Sequence, residues 1–285
     1  MQMRCRRLLV LSAVLCGAIN AQWLNFHVPG TPRLKDGTPN LGAPAPRAAD
    51  GKPDLSGVWL HEHTSLAEMK RLFGDITDAR ERVNVVGMEA DSISKYALDL
   101  LVDFRPDDKA LLRPEEVELQ KKNAANGDPS IVCEGGSGIP RAGLLSEPFK
   151  ILQSPRLTAI LYEGNPNRQI YTDGRELPKE YSLPAYMGYS VGKWERDTLV
   201  VESAGFNSKT TLDMAGHVHS EDLRTTERFR RRDFGHLQIE TTFKDPKMYT
   251  RPFTVTIGYV LLADDDIFES ICTENEKDRD HMKKK

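Results

Sequence analysis

The sequence predicts a mainly β protein, an antiparallel up-and-down β-barrel of about eight to ten strands with an N-terminal helical cover. Three observations support this fold class. From about residue 148 onward, apolar and polar residues alternate with a period of two, as in strands with one buried face. Helical periodicity is confined to residues 62–127. A Gly57-x-Trp59 motif precedes both regions, at the place where a first strand would begin.

Strand character recurs through the C-terminal half in short segments separated by turn residues. In one segment, Leu237, Ile239 and Phe243 alternate with polar residues, which predicts one buried and one solvated face. Closing such a meander removes its exposed edges, so a barrel is favoured over an open sheet. The predicted strands are 149–153, 157–163, 168–172, 187–194, 197–203, 222–230, 235–243, 253–262 and 267–272.

Three helices are predicted ahead of these strands. Ser65 and Glu68 form a capping box at the start of the first. The second is an amphipathic stripe from Ile93 to Phe104, with its apolar residues at helical spacing. The third begins at Pro114, a residue suited to a first helical turn, and ends before Gly127 and Pro129. We expect these helices to cover a face or the mouth of the barrel.

Residues 28–55 are rich in Pro and Gly and contain a short internal repeat, 32–41 and 46–55. Each copy has an Asp-Gly turn followed by a Pro that blocks helix formation. Two copies are too few for a solenoid. We therefore expect an extended arm that lies over the barrel, in preference to a peptide-recognition motif.

Residues 1–21 have the pattern of a secretory signal peptide, with three arginines, a short apolar stretch and Ala21 at a plausible cleavage site. We therefore expect a secreted or periplasmic protein. The predicted organisation is a signal peptide 1–21, an arm 22–54, the first strand plus helical cover 55–147, the barrel meander 148–275 and a charged tail 276–285, with 55–275 as one domain.

Cys133 and Cys272 are the two cysteines outside the signal peptide. In an oxidising compartment a disulfide is the favoured state for such a pair. The alternative is a nucleophilic or metal-binding thiol. The two cysteines flank the strand-rich region, and closure of a barrel would bring its first and last strands together. We therefore expect a Cys133–Cys272 bridge.

Charge argues against a nucleic-acid partner. The chain has 39 Lys and Arg against 42 Asp and Glu, a net charge of −3, which becomes −6 once the three arginines of the signal peptide leave. Apart from one cluster within 228–232, the basic residues are scattered among acidic ones. No later apolar run has membrane-spanning length. The Gly-x-Ser-x-Gly, phosphate-loop and His-Glu-x-x-His motifs do not occur in the sequence. Their absence argues against three enzyme classes: serine hydrolases, nucleotide-dependent enzymes and zincins.

The Gly-x-Trp opening resembles that of lipocalin-like barrels, in which the Trp fills one end. Taken together, five stretches between residues 46 and 281 resemble a large family of secreted, uncharacterised bacterial proteins. The family tends to carry a Cys before a Gly-x-Pro-Arg and a C-terminal Cys-x-Glu-Asn, which supports the disulfide. The resemblance implies export and a shared fold, and it implies no activity. The five stretches are 51–59 (GKPDLSGVW), 168–175 (RQIYTDGR), 192–202 (GKWERDTLVVE), 216–221 (GHVHSE) and 226–229 (TERF).

Two His-x-His pairs are candidate metal ligands: His61 with His63, and His217 with His219. On a strand, residues two apart share a face, so either pair could present two imidazoles to one ion. Zinc or iron would need a third ligand, such as Glu221 or Asp213. The alternative is that these histidines lie on the surface or at the rim, without a metal.

The segment 213–228 is the densest polar region between predicted strands, and it is a candidate acid/base site at the barrel mouth. His219 could act as acid or base, with Glu221 or Asp213 setting its tautomer, and Arg224 completes the candidate catalytic set. The alternative is a structural cap in which Ser220 and Asp222 satisfy backbone donors.

Arg168 and Arg175, which flank a Tyr-Thr-Asp-Gly turn, could recognise a carboxylate by bidentate hydrogen bonds. The simpler interpretation is a turn with ion pairs on the rim.

The sequence observations as a whole leave two candidate functions. The first is a binding module that holds a small, partly apolar ligand in the lumen. The second is an acid/base or metal-assisted hydrolase, lyase or isomerase at the 213–228 loop. The candidate ligand-binding residues are Trp59, Arg168, Tyr171, Arg175, Trp194 and Glu227.

Overall fold

The protein forms a closed nine-stranded β-barrel in a computed structural model that describes residues 26–74, 94–104, 111–126, 137–144 and 147–269. Strand β1 pairs with both β2 and β9, and this closes the sheet without a free edge. The mainly β barrel prediction is therefore confirmed. The strands are β1 Gly57–His61, β2 Phe149–Gln153, β3 Leu157–Tyr162, β4 Arg168–Tyr171, β5 Tyr189–Glu195, β6 Thr198–Ala204, β7 Arg224–Arg231, β8 His236–Lys244 and β9 Phe253–Leu261.

One strand pair departs from a pure up-and-down meander. Strands β4 and β5 are parallel, with Ile170 opposite Ser190, whereas all the other pairs are antiparallel. A parallel pair requires the chain to return along the barrel before the second strand begins. Residues 172–188, which include Pro178 and Pro184, make that return. The sequence indicates this return, because the connection between the two strands is far longer than a hairpin turn.

The strand predicted at 267–272 is wrong over its described part, because residues 267–269 are not in a strand. The physical reason is closure. Leu261 of β9 already pairs with Trp59 of β1, so no edge is left for a tenth strand to join. Residues 270–272 lie outside the described residues.

The helices are α1 Leu66–Phe73, α2 Lys95–Leu98 and α3 Pro114–Asn126. Ser65 caps α1, since its side chain accepts a hydrogen bond from the Glu68 N–H, and α3 begins at Pro114 as predicted. The predicted helix from Ile93 to Phe104 is wrong as one continuous helix. Asp99 adopts an extended conformation that ends α2, and a short 3₁₀ turn, Val102–Phe104, follows.

The N-terminal arm lies over the barrel, and its two repeats fold alike. In the first, Arg33 donates to the Gly37 carbonyl of its own turn and to Asp264. In the second, Arg47 donates to the Gly51 carbonyl and to Asp197. Each repeat is thus a small hairpin that an arginine fastens to the outside of the barrel.

The barrel has a closed end and a mouth. At the closed end, the Trp59 side chain is fully buried and the Arg231 guanidinium lies 4.9 Å from its ring centre. Gly57 has φ +144°, and a Cβ there would lie 2.4 Å from Leu261 Cδ1, so the glycine allows this close approach of β1 and β9. The opposite end, where β1 ends at His61 and β7 begins at Arg224, is the mouth.

A mouth cover, formed by α2, α3 and residues 137–144 and 207–220, lies across this end. Helix α3 contacts residues 216–218 through Asn123 and Glu116. All eight residues of 137–144 are buried. A Cβ on Gly143 would lie 3.2 Å from the Tyr259 hydroxyl, which shows that this segment rests directly on inward-facing side chains of the barrel. The prediction of a helical cover is confirmed.

Several predictions lie outside the described residues. They are the signal peptide 1–21, both cysteines of the expected bridge and the tail 276–285. Among the helices that are described, none combines the length and the apolar character needed to cross a membrane.

Candidate functional site

The mouth half of the lumen contains a buried ion pair between Arg168 of β4 and Glu227 of β7. Arg168 is 2% exposed and Glu227 is 4% exposed. Both guanidinium Nη atoms donate to the carboxylate, with Nη1 3.0 Å from Oε1. Arg168 also donates to Ser190 Oγ at 3.1 Å and to Ser203 Oγ at 3.0 Å. Four consecutive strands, β4 to β7, are thereby joined through the interior of the barrel.

This pair lies close to an aromatic wall. The Phe149 ring is 5.7 Å from the Tyr162 ring and 5.2 Å from the Tyr259 ring, measured between centroids. Burial raises the pKa of Tyr162 to about 12, although the neighbouring Arg168 charge acts in the opposite direction. Both phenols therefore stay protonated and can donate hydrogen bonds.

Two inward-facing polar atoms near the mouth have no hydrogen-bond partner among the described residues: Thr225 Oγ1 on β7 and His61 Nε2 on β1. Both side chains are almost fully buried. Burial lowers the pKa of His61 to about 4, so its ring is neutral at physiological pH. An unpaired buried polar atom is unfavourable, and native proteins retain few of them.

A second polar cluster lies in the mouth cover, where His217 contacts Asp213. His217 Nδ1 is 2.6 Å from Asp213 Oδ2, and the His217 N–H donates to Oδ1 of the same carboxylate. His217 Nε2 is 2.9 Å from Gln120 Nε2, and Asp99 Oδ1 lies 3.9 Å from Nδ1. Burial alone would lower the pKa of His217, but the hydrogen bond and charge of Asp213 outweigh it and raise that pKa to about 9.

Glu116 of α3 belongs to the same cluster. Its side chain is fully buried, Oε1 accepts the Val218 N–H, and Oε2 has no hydrogen-bond partner in the described part of the chain. Burial raises the pKa of Glu116 to about 7, while the nearby His217 acts to lower it. Three carboxylates and one imidazole therefore share a buried region of the mouth cover.

His219 lies in different surroundings from His217. Its Nε2 is 2.8 Å from Thr210 Oγ1, and its Nδ1 is 3.2 Å from the Ser220 carbonyl. Nδ1 therefore carries the proton, and neither Asp213 nor Glu221 sets this tautomer. Burial lowers the pKa of His219. Asp213 instead orients His217, because the two are four residues apart across one tight turn.

The other candidate residues are distributed over both faces of the barrel. Glu221 and Arg224 are exposed and line a groove of about 320 Å³ beside the mouth. No hydrogen bond or ion pair of the described residues joins them to Asp213 or His219. Arg175 is exposed on the outside, where it pairs with Asp173 and stacks on Tyr171.

The remaining tryptophans have different positions. Trp59 fills the closed end, and Trp194 is partly buried against the hydrophobic core. Ser220 supports the cap interpretation, because its Oγ accepts the Asp222 N–H. His63 is exposed, so the His61–His63 pair does not present two buried imidazoles.

The polar residues that sequence reasoning missed in these clusters include Asp99, Glu116, Gln120 and Thr225. Three of them lie on predicted helices, where a polar residue is normally solvent-facing. The available signal for Asp99 was a lone acid between the apolar pairs Ala97-Leu98 and Leu100-Leu101 of the stripe. No comparable signal marks Glu116, which is one of two adjacent glutamates in the first turn of α3.

Comparison of the chain with protein-family models, curated proteins and solved structures finds no match. The resemblance to a secreted bacterial family therefore stays a prediction, and the function has to be argued from the geometry alone.

Proposed function

We propose that this protein is an exported β-barrel that binds a small, partly apolar ligand in the mouth half of its lumen. The observation that carries this proposal is the Arg168–Glu227 pair, together with the unpaired Thr225 Oγ1 beside it. Ligand pockets typically combine apolar and aromatic walls with a few precisely held polar groups. The aromatic wall of Phe149, Tyr162 and Tyr259 supplies the first component and the ion pair supplies the second.

Energetics favour a recognition role for the pair over a purely structural one. Burying two charges costs more than packing two apolar side chains of similar volume, even when the charges are paired. A barrel that needed only stability would be served equally well by apolar residues at these positions. Ser190 and Ser203 hold the guanidinium in a fixed orientation. Polar groups held in fixed positions of this kind suit a ligand that carries a hydrogen-bonding group.

Access to the lumen runs through the mouth cover, because Trp59 and Arg231 fill the closed end. The segment 137–144 rests on Tyr259 and Phe149. A ligand would therefore enter when part of the cover opens. Once the cover has closed over the bound ligand, we expect the amide hydrogens of this segment to exchange more slowly than in the ligand-free protein.

The test is an apolar replacement of the pair. The double variant Arg168→Met/Glu227→Leu is expected to fold, with stability equal to the wild type or higher by about 1–4 kcal/mol. It is expected to lose the small molecule that native mass spectrometry detects on wild-type protein purified from its own host. Arg175→Met, which removes a cation from the outside, is the matched control and should keep the ligand. A double variant that retains the ligand contradicts the proposal.

Export rests on the sequence pattern of residues 1–21 and predicts a mature protein that starts at Gln22. Cell fractionation and N-terminal sequencing test this. In the exported protein, free-thiol titration is expected to detect no reactive Cys133 or Cys272 until a reductant is added.

An acid/base enzyme is the second candidate function. The observation in its favour is the 2.6 Å contact between Asp213 and His217, an arrangement in which a carboxylate orients an imidazole. Screening the protein against small esters, amides and lactones tests it. A catalytic role requires that His217→Asn abolishes turnover, while His219→Asn retains it.

A further inference from the structure

We propose that the groove beside the mouth binds the oxyanion group of a small organic molecule, a carboxylate or a phosphate, through Arg224, Lys244 and Lys179. The groove has a volume of about 320 Å³, which is within the range of small-ligand pockets. It lies outside the barrel, because Thr225, the residue after Arg224, faces the lumen and successive residues of a strand face opposite sides. The site is therefore separate from the lumen, and it does not rest on the proposed lumen function.

Arg224 and Lys244 are direct cross-strand neighbours in the ladder between β7 and β8. Both side chains are exposed, and both line the groove. Like charges placed opposite one another on a sheet destabilise it. Among the described residues, neither of these two cations forms an ion pair with a carboxylate. An anion bound between them would remove the repulsion, so this pair favours a negatively charged ligand.

Elsewhere the outward face of the same ladder avoids such a pairing. Arg228 lies opposite Glu240, and Arg230 lies opposite Gln238. The first of these pairs joins opposite charges and the second joins a cation to a neutral amide. Two cations face each other in this ladder only where it borders the groove. The unfavourable charges therefore belong to a cavity and are not a general property of the strand surface.

Lys179, from the return segment 172–188, adds a third cation to the groove, and it too has no ion pair among the described residues. The groove also contains two carboxylates. Asp222 is already paired with Lys247, whose Nζ lies 3.0 Å from Asp222 Oδ2. Glu221 is the other carboxylate, so three unpaired cations face one unpaired carboxylate in the described part of the chain. A cleft with an excess of one charge attracts ligands of the opposite charge.

Tyr181 forms a wall of the groove. Gly205 allows its ring to lie against the backbone, because a Cβ on Gly205 would be 2.3 Å from Tyr181 Cδ1. The Tyr181 hydroxyl is enclosed and has no hydrogen-bond partner among the described residues. Burial raises the pKa of Tyr181, although the Arg224 charge acts in the opposite direction, so the phenol stays protonated. An oxyanion bound to Arg224 would bring an acceptor near this hydroxyl.

The lining of the groove indicates the kind of molecule that carries the oxyanion. A guanidinium binds a carboxylate or a phosphate through two parallel hydrogen bonds, and lysines add point charges. Ala204 and Leu223 are buried and give the groove an apolar floor. Aromatic acids and aryl phosphates, which combine an anionic group with a small apolar body, therefore suit the groove better than neutral aromatic compounds.

The experiment measures the binding of benzoate and of phenyl phosphate to the full chain at low ionic strength, by titration calorimetry and thermal melting. At least one of the two anions is expected to bind and to raise the melting temperature. Sodium chloride at equal ionic strength is the reference, because screening alone also weakens the repulsion. Benzyl alcohol is the uncharged probe and should not bind. Binding of benzoate alone assigns a carboxylate ligand, and binding of phenyl phosphate alone assigns a phosphate ester.

Variants locate the bound anion. Arg224→Gln and Lys244→Gln should each weaken binding by about tenfold or more, because each removes a charged hydrogen bond. Without an anion, either variant should melt at a higher temperature than wild type, since the like-charge pair is gone. Arg230→Gln is the matched control: it removes an exposed cation from the outward face of the same strand, and it should leave the affinity unchanged.

Three results would overturn the proposal. The first is that neither anion has an effect beyond that of sodium chloride. The second is unchanged binding in an Arg224→Gln/Lys244→Gln double variant, with either single variant deciding if the double variant does not fold. The third is an equal loss of binding in Arg230→Gln, which would assign the effect to general surface charge. Lumen binding is measured separately with Arg168→Met/Glu227→Leu, so either proposal can fail alone.

Discussion

The two ends of the barrel satisfy buried polar groups in opposite ways. At the closed end, Arg231 donates to the backbone carbonyls of Asp54, Ser56, Asp233 and Phe234, and its charge lies over the Trp59 ring. Burial lowers the pKa of Arg231 to about 10, which leaves the guanidinium charged. At the mouth, by contrast, Thr225, His61 and Glu116 each keep a buried polar atom without a partner in the described chain.

This contrast separates an end with a structural role from the end at which we propose that a ligand binds. The Arg231 guanidinium donates to backbone carbonyls and therefore needs no ligand to satisfy it. We infer that the closed end has a structural role, which is to hold β1, β7 and the arm together. The mouth retains unsatisfied donors and acceptors, which are costly in a folded protein and are explained most simply by a ligand or an ion.

Trp59→Ala should have the largest effect on stability. Trp59 is fully buried and lies against Arg231, so its removal leaves a large cavity and exposes one face of the guanidinium. We expect a loss of about 4 kcal/mol in the free energy of unfolding, measured by urea denaturation. Trp194→Ala, at a partly buried position, is the control and should cost clearly less. Equal losses would mean that the closed end has no special structural role.

The mouth should make the protein sensitive to acid through His61. Its pKa is about 4 in the folded protein against an ordinary value of 6.5, because burial disfavours the charged ring. The neutral ring therefore contributes fully above about pH 6.5, and the contribution is lost as the pH falls towards 4. The loss is on the order of 3 kcal/mol. Urea midpoints measured across this range should fall less steeply in His61→Gln, and an identical slope would exclude His61 as the cause.

Gly57→Ala tests the close approach of β1 and β9 at the closed end. The new Cβ would lie 2.4 Å from Leu261 Cδ1, and φ is +144° at this position. Leu261 can move in part, so we expect a cost of about 2 kcal/mol in chemical denaturation. Gly164→Ala is the matched control, because a Cβ there meets nothing within 4 Å. A neutral Gly57→Ala would show that the glycine is not required by packing.

The variant Thr225→Val, at the mouth, should have the smallest effect on stability, and it should stabilise the protein. Thr225→Val keeps the shape of the side chain and removes the unpaired Oγ1. In ligand-free protein we expect a gain of about 1 kcal/mol in the free energy of unfolding, read from the thermal midpoint. The same variant should bind the lumen ligand more weakly. A loss of stability instead would mean that Oγ1 has a partner, such as an ordered water.

The sequence by itself determined the elements whose signals are local. Period-two alternation located the eight strands from β2 to β9 within about two residues, because alternate side chains must face the lumen and the outside. The Ser65 cap and Pro114 marked the beginnings of α1 and α3, since both act on their own helical turn. Gly57-x-Trp59 identified the first strand, and the repeat with Asp-Gly turns predicted the arm.

Only the tertiary structure decided which side chains meet. Arg168 and Glu227 are 59 residues apart, and Leu100 is 113 residues from Asp213, whose carboxylate accepts the Leu100 N–H. Alternation assigns a residue to a face and says nothing about its partner across the lumen. The parallel β4–β5 pair, the break at Asp99 and the buried position of Glu116 all result from long-range packing, which outweighs local preference wherever a closed barrel must be covered.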